Sequence, residues 1–458
     1  MQTRKDLYQA YRLTTQRVAL ALLQGRPSAA ESPLRRTGVG TLCGVMVAVL
    51  IAAGFGISGL IFKGGAGGLE RPGVLVIEKE TGASYAYSAE TRRMVPFVNY
   101  ASARLAMPDA SIQRRSVSSR SLAKYARGPL TGIEGAPESL PDPARLGRGP
   151  WSLCVRTVAN GAAVVSLVGG RDVGGRGLSD GEAVLVRAGG RPWLVWHDRR
   201  MRISVEDARA LTAEEPVLVD ARWLNGLPQG PDFTAPSVPG WGSRAPGPDG
   251  APTPVGQVFE VAAVAGTPAR WYVQLRDGLS SISQTQARLL LEAAGTRPDG
   301  PGQVRVIPPG VAAARPSRTN LHSDDLPEDP PRPIGYASSV PLCVVYRGTD
   351  KLSMDARFTV GATLPAMTGN SISAGLDQVV ISGGGTFAGT LALPGHRPQA
   401  YALITDQGVR YPVATAADVA KLGYSMADAA PVPANLMQLF RDGPVLASDA
   451  ARRPVPAR

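Results

Sequence analysis

The sequence has few of the residues from which most catalytic sites are built. Its 458 residues include three histidines and three cysteines, and aromatic residues make up 6% of the chain. Gly-Lys does not occur as a dipeptide, so the phosphate-binding pattern G-x-x-x-x-G-K-[ST] is absent. The histidines lie far apart, at His197, His322 and His396, without metal-ligand spacing. The sequence therefore argues against a P-loop nucleotide hydrolase and a zinc enzyme, and it predicts no cofactor, no metal site and no catalytic residue.

Three other stretches could carry chemistry, and each has a plainer explanation. Residues 121–124, SLAK, match the S-x-x-K pattern but lack downstream S-D-N and K-T-G partners. The acidic stretch HSDDLPEDPP, residues 322–331, contains prolines, which favour a solvated loop over a calcium site. The glycine-rich stretch GGRDVGGRG, residues 169–177, is better explained by turns between strands than by phosphate binding. The composition thus favours a scaffold.

One long apolar run is present near the N-terminus. From Thr41 to Phe62 there are 22 residues without a charge, and at about 1.5 Å per residue this helix crosses a hydrocarbon core of ~30 Å. A core helix of a soluble protein would normally show a polar face. A cleaved signal peptide would have a shorter apolar core of ~7–15 residues and a small-residue cleavage site. Residues 41–62 are therefore predicted to be an uncleaved transmembrane helix in the bilayer of the plasma membrane.

The charges beside this run predict its orientation. Residues 1–40 contain one lysine and six arginines against two acidic residues, and a basic excess marks the cytoplasmic side. The N-terminus is therefore expected in the cytoplasm, and the chain from about residue 64 (the exported region) outside the plasma membrane. Part of the net charge of +12 then reflects topology, and no patch interleaves basic and aromatic residues. No nucleic-acid partner is predicted.

The segment before the span has the pattern of an amphipathic helix. Four apolar residues recur there at helical spacing: Leu7, Tyr11, Val18 and Leu22. Most of the basic residues fall elsewhere on the helix, which spans residues 3–24. Because no domain of the chain lies beside this segment to cover the four side chains, they are predicted to dock on a cytoplasmic partner or on the membrane surface. The alternative is a solvated juxtamembrane helix.

The exported region contains two of the three cysteines. Cys154 and Cys343 lie there, and Cys43 lies in the span. An even number of cysteines in an oxidising compartment favours one disulfide, and two separate buried thiols are the alternative. The 53 glycines and 40 prolines favour many short strands and turns. The expected fold class is α+β, mainly β.

Internal similarity divides the exported region. Four strand–turn–strand stretches resemble one another: 73–88, 191–205, 269–283 and 397–413. Their tips contain aspartate or glycine, and glycine supplies the positive φ that tight hairpin turns need. Three of them are followed by a helix-like stretch with Gly-Pro: 121–130, 223–231 and 435–446. We therefore predict four small repeats, each a hairpin with a helix packed on it.

Two further stretches share Leu-Cys-Val and lie between the repeats. They are GPWSLCVRTV, residues 149–158, and SVPLCVVYRG, residues 339–348. The two halves are predicted to meet in one central β domain locked by the disulfide, with pseudo-twofold symmetry and an elongated shape. Proline-rich stretches at 228–254 and 298–334 are interpreted as linkers.

The predicted division of the chain has nine parts. In order these are a cytoplasmic amphipathic segment (1–40), the transmembrane helix (41–62), repeat 1 (64–148), core half 1 (149–188), repeat 2 (189–250), repeat 3 (255–312), a proline-rich linker (313–336), core half 2 (337–390) and repeat 4 (391–450).

Several stretches of the chain resemble the EccB family of the actinobacterial type VII secretion machinery. They are residues 2–50, VNYASARL (98–105), RGPLTGIEGAPESLP (127–141) and GVRYPVATAADVAKLGY (408–424). The resemblance implies one span and an exported region with four repeats around a disulfide-containing β domain. It also implies assembly with an EccC-type FtsK/SpoIIIE-like ATPase, EccD and EccE, and it is compatible with a homo-oligomer. Members of the family are often labelled ATP-hydrolysing, a property for which this sequence offers no phosphate loop.

The expected function is that of a structural subunit of the type VII secretion membrane complex, and not that of an enzyme. One helix would anchor the chain, and the exported region would form an extracytoplasmic platform for protein export. A membrane-anchored nucleotide hydrolase and a cell-wall-binding anchor protein are the alternatives. Turnover of ATP by the purified chain would favour the first, and retention on insoluble cell wall would favour the second.

A reporter fused after Arg458 tests the predicted topology. Because the basic residues precede the span, we expect alkaline phosphatase at this position to be active and green fluorescent protein to be dark in living cells. A fluorescent fusion would show that the exported region is inside the cell.

Overall fold

Two α-helices precede a region of short strands and helices. The computed structural model describes residues 3–24, 33–61, 67–108, 112–264, 266–295, 302–366 and 375–456. The two helices are α1 (Arg4–Gln24) and α2 (Pro33–Ile61). The predicted span lies in α2, except that its last residue, Phe62, is outside the described residues. The rest of the chain is α+β and mainly β, which confirms the predicted fold class.

The strands and helices of the exported region follow in chain order. The first repeat contains β1 (Val74–Glu78), β2 (Ser84–Ser88), β3 (Arg93–Phe97), α3 (Tyr100–Ala106), β4 (Gln113–Val117) and α4 (Ser119–Leu122). The first core half contains β5 (Trp151–Thr157), β6 (Ala163–Gly169) and β7 (Arg176–Gly177). The second repeat contains β8 (Glu182–Ala188), β9 (Arg191–Trp196), β10 (Arg199–Arg202), α5 (Val205–Leu211), β11 (Val217–Leu218) and α6 (Ala221–Asn225). A hairpin follows, made of β12 (Arg244–Pro246) and β13 (Pro252–Pro254).

The second half of the exported region has the same plan. The third repeat contains β14 (Val258–Val261), β15 (Arg270–Gln274), β16 (Leu279–Ile282), α7 (Gln284–Gly295), β17 (Arg305–Val306) and α8 (Pro309–Ala314). A short strand β18 (Arg332–Pro333) precedes the second core half, which contains β19 (Leu342–Tyr346), β20 (Ala356–Val360) and β21 (Gln378–Ile381). The fourth repeat contains β22 (Gly385–Leu391), β23 (Tyr401–Thr405), β24 (Val409–Pro412), α9 (Ala416–Leu422), β25 (Ala430–Pro433), α10 (Ala434–Met437), β26 (Arg441–Asp442) and α11 (Ser448–Ala451).

All four repeats have one topology. Three strands form an antiparallel meander, a helix follows, and a fourth strand pairs parallel with the first. The strand orders are β3-β2-β1-β4, β10-β9-β8-β11, β16-β15-β14-β17 and β24-β23-β22-β25. After the second helix the chain returns parallel to the third strand, at the pairs Met94–Arg127, Arg200–Gln229, Leu279–Pro316 and Val413–Leu446. Each repeat is therefore a larger unit than a hairpin with one helix.

The hairpins compared in the sequence are equivalent in three repeats and not in the first. The stretches 191–205, 269–283 and 397–413 each contain the second and third strands of a meander. The stretch 73–88 is instead the β1–β2 hairpin, and its counterpart is β2–β3. Gly82, with φ of 75°, marks a tight turn. A meander has two such turns, so a glycine alone does not show which hairpin it belongs to, and the predicted equivalence is wrong for this repeat.

Two strands belong to repeats although the sequence division assigns them to the core halves. The division places β8 in residues 149–188 and nearly all of β22 in residues 337–390. In the structure β8 pairs with β9 and β11, and β22 pairs with β23 and β25. Both strands are buried along most of their length, so their near-continuous apolar sequence resembles that of a central strand.

The central sheet combines both core halves in the order β21-β6-β5-β19-β20-β7. The hairpins β5–β6 and β19–β20 meet where β5 pairs antiparallel with β19. These inner four strands have the topology that a pseudo-twofold axis requires. One further strand of each half pairs with the other half. The strand β21 of the second half pairs parallel with β6, whereas β7 of the first half pairs antiparallel with β20. The edges of the sheet therefore break the symmetry.

The predicted disulfide joins the two halves at the middle of this sheet. Cys154 on β5 lies directly opposite Cys343 on β19, and the two Sγ atoms are bonded. Both cysteines are fully buried beside Val168 and Val345. The prediction is confirmed, and the bond links residues 189 positions apart in sequence.

Two buried tryptophans attach repeats to β5. Trp223 of α6 donates its indole N–H to the carbonyl oxygen of Leu153 on β5, at 3.1 Å. Trp151, on β5 itself, donates its indole N–H to the carbonyl oxygen of Pro431 on β25, also at 3.1 Å. Gly169 on β6 lies against the Trp151 ring, where an added Cβ would clash. One strand therefore carries the disulfide and contacts with repeats 2 and 4.

A capping pair begins the first helix of every repeat. A side-chain oxygen just before the helix accepts the backbone N–H three residues on. The pairs are Asn99 with Ser102, Ser204 with Asp207, Ser283 with Gln286, and Thr415 with Asp418. The second side chain of each pair is buried and also bonds to the segment after the second helix, at Ile133, Thr234, Leu321 and Ser448 respectively. These side chains hold the two ends of each repeat together.

The repeats pack in two pairs through equivalent helices. The helix α3 of repeat 1 contacts α9 and α11 of repeat 4, and α5 of repeat 2 contacts α7 of repeat 3. In the first pair, the Nε of Arg104 donates to the carbonyl oxygen of Lys421 at 2.8 Å. Leu105 and Leu422 share one apolar cluster. Repeat 1 is therefore attached to repeat 4, and repeat 2 to repeat 3.

The proline-rich stretches interpreted as linkers are docked on the repeats where the structure describes them. The first, 228–254, includes the β12–β13 hairpin, and its Pro246 carbonyl oxygen accepts a hydrogen bond from the Gln274 side chain of β15 at 3.3 Å. In the second, Leu321 bonds through its backbone to Ser280 and Gln286, and Leu326 is buried. Residues 296–301 of that stretch lie outside the described residues. Prolines reduce regular structure, but here they do not keep the chain away from the folded surface.

Replacing Cys154 with serine should lower the free energy of unfolding by ~2–5 kcal/mol, because the unfolded chain would lose a cross-link that closes a long loop. Chemical denaturation of the full-length chain in detergent measures this difference. Cys43→Ser is the matched control, since Cys43 lies in α2 and is a free cysteine. An equal midpoint for the wild type and Cys154→Ser would show that the bond does not stabilise the fold.

Candidate functional site

The apolar side chains predicted to dock lie on one side of α1 and are exposed. The exposed fractions are 66% for Leu7, 71% for Tyr11, 54% for Val18 and 81% for Leu22. At about 100° per residue the four side chains fall within an arc of about 60°. We call them the α1 stripe. The stripe is uncovered in the described part of the chain, so a partner or a membrane surface could reach it.

The start of α1 is fixed by a local capping contact. Thr3 donates its hydroxyl and its backbone N–H to the carboxylate of Asp6. The hydrogen bonds from Thr3 hold the pKa of Asp6 below its usual value. Asp6 lies in the first turn, where a negative charge also interacts favourably with the helix dipole. The sequence places this acidic residue well for a stable helix.

Other apolar side chains of α1 are also exposed and were not part of the prediction. Tyr8, Leu13 and Leu23 are exposed by 67%, 54% and 84%. By helical spacing Leu13 and Leu23 lie on the opposite side from the α1 stripe. Their presence weakens the amphipathic pattern, and they supply a comparison for testing the stripe.

One helix in the described part of the chain is long and apolar enough to cross a membrane. Its apolar core is Gly38–Phe55 within α2. The large apolar side chains described there are exposed, with Leu42, Leu50 and Phe55 among them. A helix that is apolar on all sides and has no protein cover is stable in lipid and not in water. This agrees with the predicted span of 41–62.

The three histidines do not form a metal centre. His197 lies at a hairpin tip and stacks on Trp196, with 4.4 Å between ring centroids. The Nε2 of His322 lies 3.5 Å from a carboxylate oxygen of Asp324 in the acidic stretch, and His396 lies in an exposed turn. No cluster of three or more histidine, cysteine or acidic side chains with metal-binding geometry occurs among the described residues.

One hydrolase-like motif was missed in the sequence-based prediction. Residues 177–181, GLSDG, fit the G-x-S-x-G spacing of a nucleophile elbow, which requires a strand–turn–helix. Here Ser179 lies between two strands, β7 and β8, and its backbone N–H donates to Glu182 at 3.0 Å. His197 lies 3.5 Å from Asp180, but that carboxylate is 96% exposed. A catalytic triad needs a buried orienting acid, so this motif is a turn.

One acidic side chain beside a cavity has a raised pKa, and it is a structural cap. Asp207 borders a cavity of about 470 Å³ between repeats 2 and 3, together with Trp241 and Leu290. Burial raises the pKa of Asp207, and such a group in a cavity is a general-acid candidate. Its carboxylate, however, is bonded to Ser204 and Thr234. The equivalent Asp418 is also bonded on both sides, which explains both acids as parts of the repeat.

Comparison with other proteins places the whole chain in one family. A family model described as "Type VII secretion system ESX-1, transport TM domain B" matches residues 1–455. The ESX-3 secretion system ATPase EccB3 of Mycolicibacterium smegmatis is 29% identical over 468 residues, which cover 95% of this chain and 88% of the relative. The ESX-1 secretion system ATPase EccB1 of Mycobacterium tuberculosis is 28% identical over 474 residues, which cover 98% of this chain and 94% of the relative.

Solved structures show the same fold. A chain in the structure of an intact ESX-5 inner membrane complex superposes with a TM-score of 0.64 at 25% identity, covering 100% of this chain and 96% of that chain. A chain in the structure of the EccB3 dimer from the ESX-3 core complex superposes with a TM-score of 0.64 at 27% identity, covering 83% of this chain and 99% of that chain. The chain belongs to the EccB family of type VII secretion systems.

Proposed function

We propose that this chain is a structural subunit of a type VII secretion membrane complex. The α2 helix anchors it in the plasma membrane with the N-terminus in the cytoplasm, and the exported region forms a platform on the other side. The observation that carries this proposal is the uncovered α1 stripe beside an uncovered span. Lipid covers an apolar span, whereas an apolar stripe on a helix outside the bilayer marks a site for a partner or a membrane surface. A chain of similar fold is part of an intact ESX-5 inner membrane complex, which supports the proposal.

The α1 stripe is proposed to be the cytoplasmic docking site. Leu7, Tyr11, Val18 and Leu22 present one apolar face, and helix-in-groove recognition reads such a face at this spacing. The proposed partners are the EccC-type FtsK/SpoIIIE-like ATPase, EccD and EccE. The matched EccB3 dimer supports self-association of this chain as well.

Leu7→Asp combined with Tyr11→Asp should reduce co-purification of the EccC-type ATPase, EccD and EccE by about tenfold or more, because buried charges oppose an apolar interface. Affinity purification of the tagged full-length chain from solubilised membranes, followed by quantitative mass spectrometry, measures the partners.

Leu13→Asp with Leu23→Asp is the matched control, since it adds the same charge to the opposite side of α1. Membrane insertion should be normal in both variants because α2 is unchanged. Equal partner recovery in the wild type and the Leu7–Tyr11 variant, or an equal loss in both variants, would rule out the α1 stripe as the docking site.

The chain is further proposed to work without hydrolysing ATP itself. Its relatives are named secretion system ATPases, so this part of the proposal depends on the residues of this chain. The sequence has no Gly-Lys dipeptide and hence no P-loop. The exported region would also face a compartment with little ATP, and the motor is therefore assigned to the FtsK/SpoIIIE-like partner.

Purified full-length chain in detergent should release phosphate from ATP no faster than a buffer blank. A coupled phosphate-release assay with Mg²⁺ measures the rate, and the purified motor subunit serves as a positive control. A measurable kcat that a single substitution in this chain abolishes would assign hydrolysis to the chain.

A further inference from the structure

Two arginines of repeat 2 crowd the ring of one tryptophan. Arg200 and Arg202 are two residues apart on β10, so their side chains lie on the same face of the sheet. Arg202 is directly opposite Trp193 on β9. Their guanidinium carbons lie 5.1 and 5.8 Å from the centroid of the Trp193 ring. Cation–π attraction holds a guanidinium near an aromatic face. The tryptophan therefore keeps two positive charges close together.

This pair of charges lacks a counter-charge in the part of the chain that the structure describes. Within those ranges neither Arg200 nor Arg202 forms an ion pair, whereas the neighbouring Arg199 bonds to Asp198 at 2.7 Å. Arg200 donates through Nη1 to the neutral amide oxygen of Asn225 at 2.9 Å, and its Nε is buried without an acceptor. Burial lowers the pKa of Arg200, and the charge of Arg202 lowers it further. Two close cations are destabilising until an anion joins them.

Some other arginines in the fold do have carboxylate partners. Arg222 bonds to two carboxylates, those of Asp220 and Asp377, at 2.8 and 2.9 Å. In repeat 4, Arg410 at the corresponding hairpin bonds to Asp442. Among the described residues several other arginines also lack a carboxylate partner, so this place is distinguished by two unpaired guanidinium groups at one tryptophan ring. The surface is accessible, since Arg202 is exposed.

We propose that Arg200, Arg202 and Trp193 form a docking site for an acidic side chain of a protein partner of the exported region. A guanidinium offers a planar set of donors that matches a carboxylate, and two of them can bind one carboxylate from two sides. Tryptophan and arginine are also the residues most enriched at the energetic centres of protein interfaces. This favours a protein over a free anion, and the site is independent of the α1 stripe.

The proposal is tested by titrating the full-length chain in detergent with hexaglutamate as the acidic probe. The Arg200→Gln, Arg202→Gln double variant should weaken binding by about tenfold or more, because both charge-assisted contacts are lost. Arg191→Gln with Arg209→Gln is the matched control. It removes the same charge from two exposed positions of the same repeat, and it should weaken binding by less than about twofold if attraction is local.

Three outcomes would overturn the proposal. Hexaglutamate could fail to bind the wild type, or both double variants could weaken binding equally, which would show only general attraction to a basic protein. Inorganic phosphate or phosphatidylglycerol vesicles, used as separate probes, could bind more tightly than the peptide in a manner that requires Arg200 and Arg202, which would assign the site to phosphate. The single variant Arg202→Gln keeps the test valid if the double variant unfolds, since this exposed side chain should alone account for about a threefold loss.

Discussion

The antiparallel pairing of β5 with β19 is the contact on which the exported region depends. It joins two core halves whose cysteines are 189 residues apart, and repeats 2 and 3 lie in the loop between them. Closing a loop of that length costs chain entropy, and a disulfide reduces the cost by restraining the unfolded chain. Because Trp223 and Trp151 attach repeats 2 and 4 to β5, this strand also positions both pairs of repeats.

The same arrangement explains how the chain can act as a platform with few reactive residues. Repeats 1 and 3 are held by helix contacts to repeats 4 and 2, so each repeat is connected to the central sheet directly or through its neighbour. The buried capping side chains then tie the end of each repeat to its first helix. The buried acids Asp207 and Asp418, whose shifted pKa values would suggest catalytic candidates, are hydrogen-bonded parts of this scaffold.

The features predicted correctly from the sequence are those for which a residue type has a single physical explanation at its position. The uncharged run of α2 and the two exported cysteines could be interpreted directly, since lipid excludes charge and an oxidising compartment favours a bond. The repeat boundaries could not, because β8 and β22 are as apolar as central strands and their partners are set by tertiary pairing. The capping pairs were not predicted; their three-residue spacing is present in the sequence, but their second contact, about thirty residues on, is set by the fold.

The repeats share a backbone and differ in surface, and that difference matters for assembly. The pKa of Asp418, the acid of the repeat 4 cap, lies below its usual value. Burial alone would raise this pKa, but hydrogen bonds from Ser448 and Thr415 outweigh the effect of burial. Asp207 in repeat 2 is also hydrogen-bonded, to Ser204 and Thr234, but there burial outweighs the hydrogen bonds and its pKa stays raised. In the same way, the position of Trp193 and Arg202 is taken in repeat 1 by Ser84 and Phe97, which leaves no aromatic–arginine pair at that position. Repeats 1 and 2 therefore present different chemistry at equivalent positions, so a partner that recognises one of them would distinguish the two pairs of repeats.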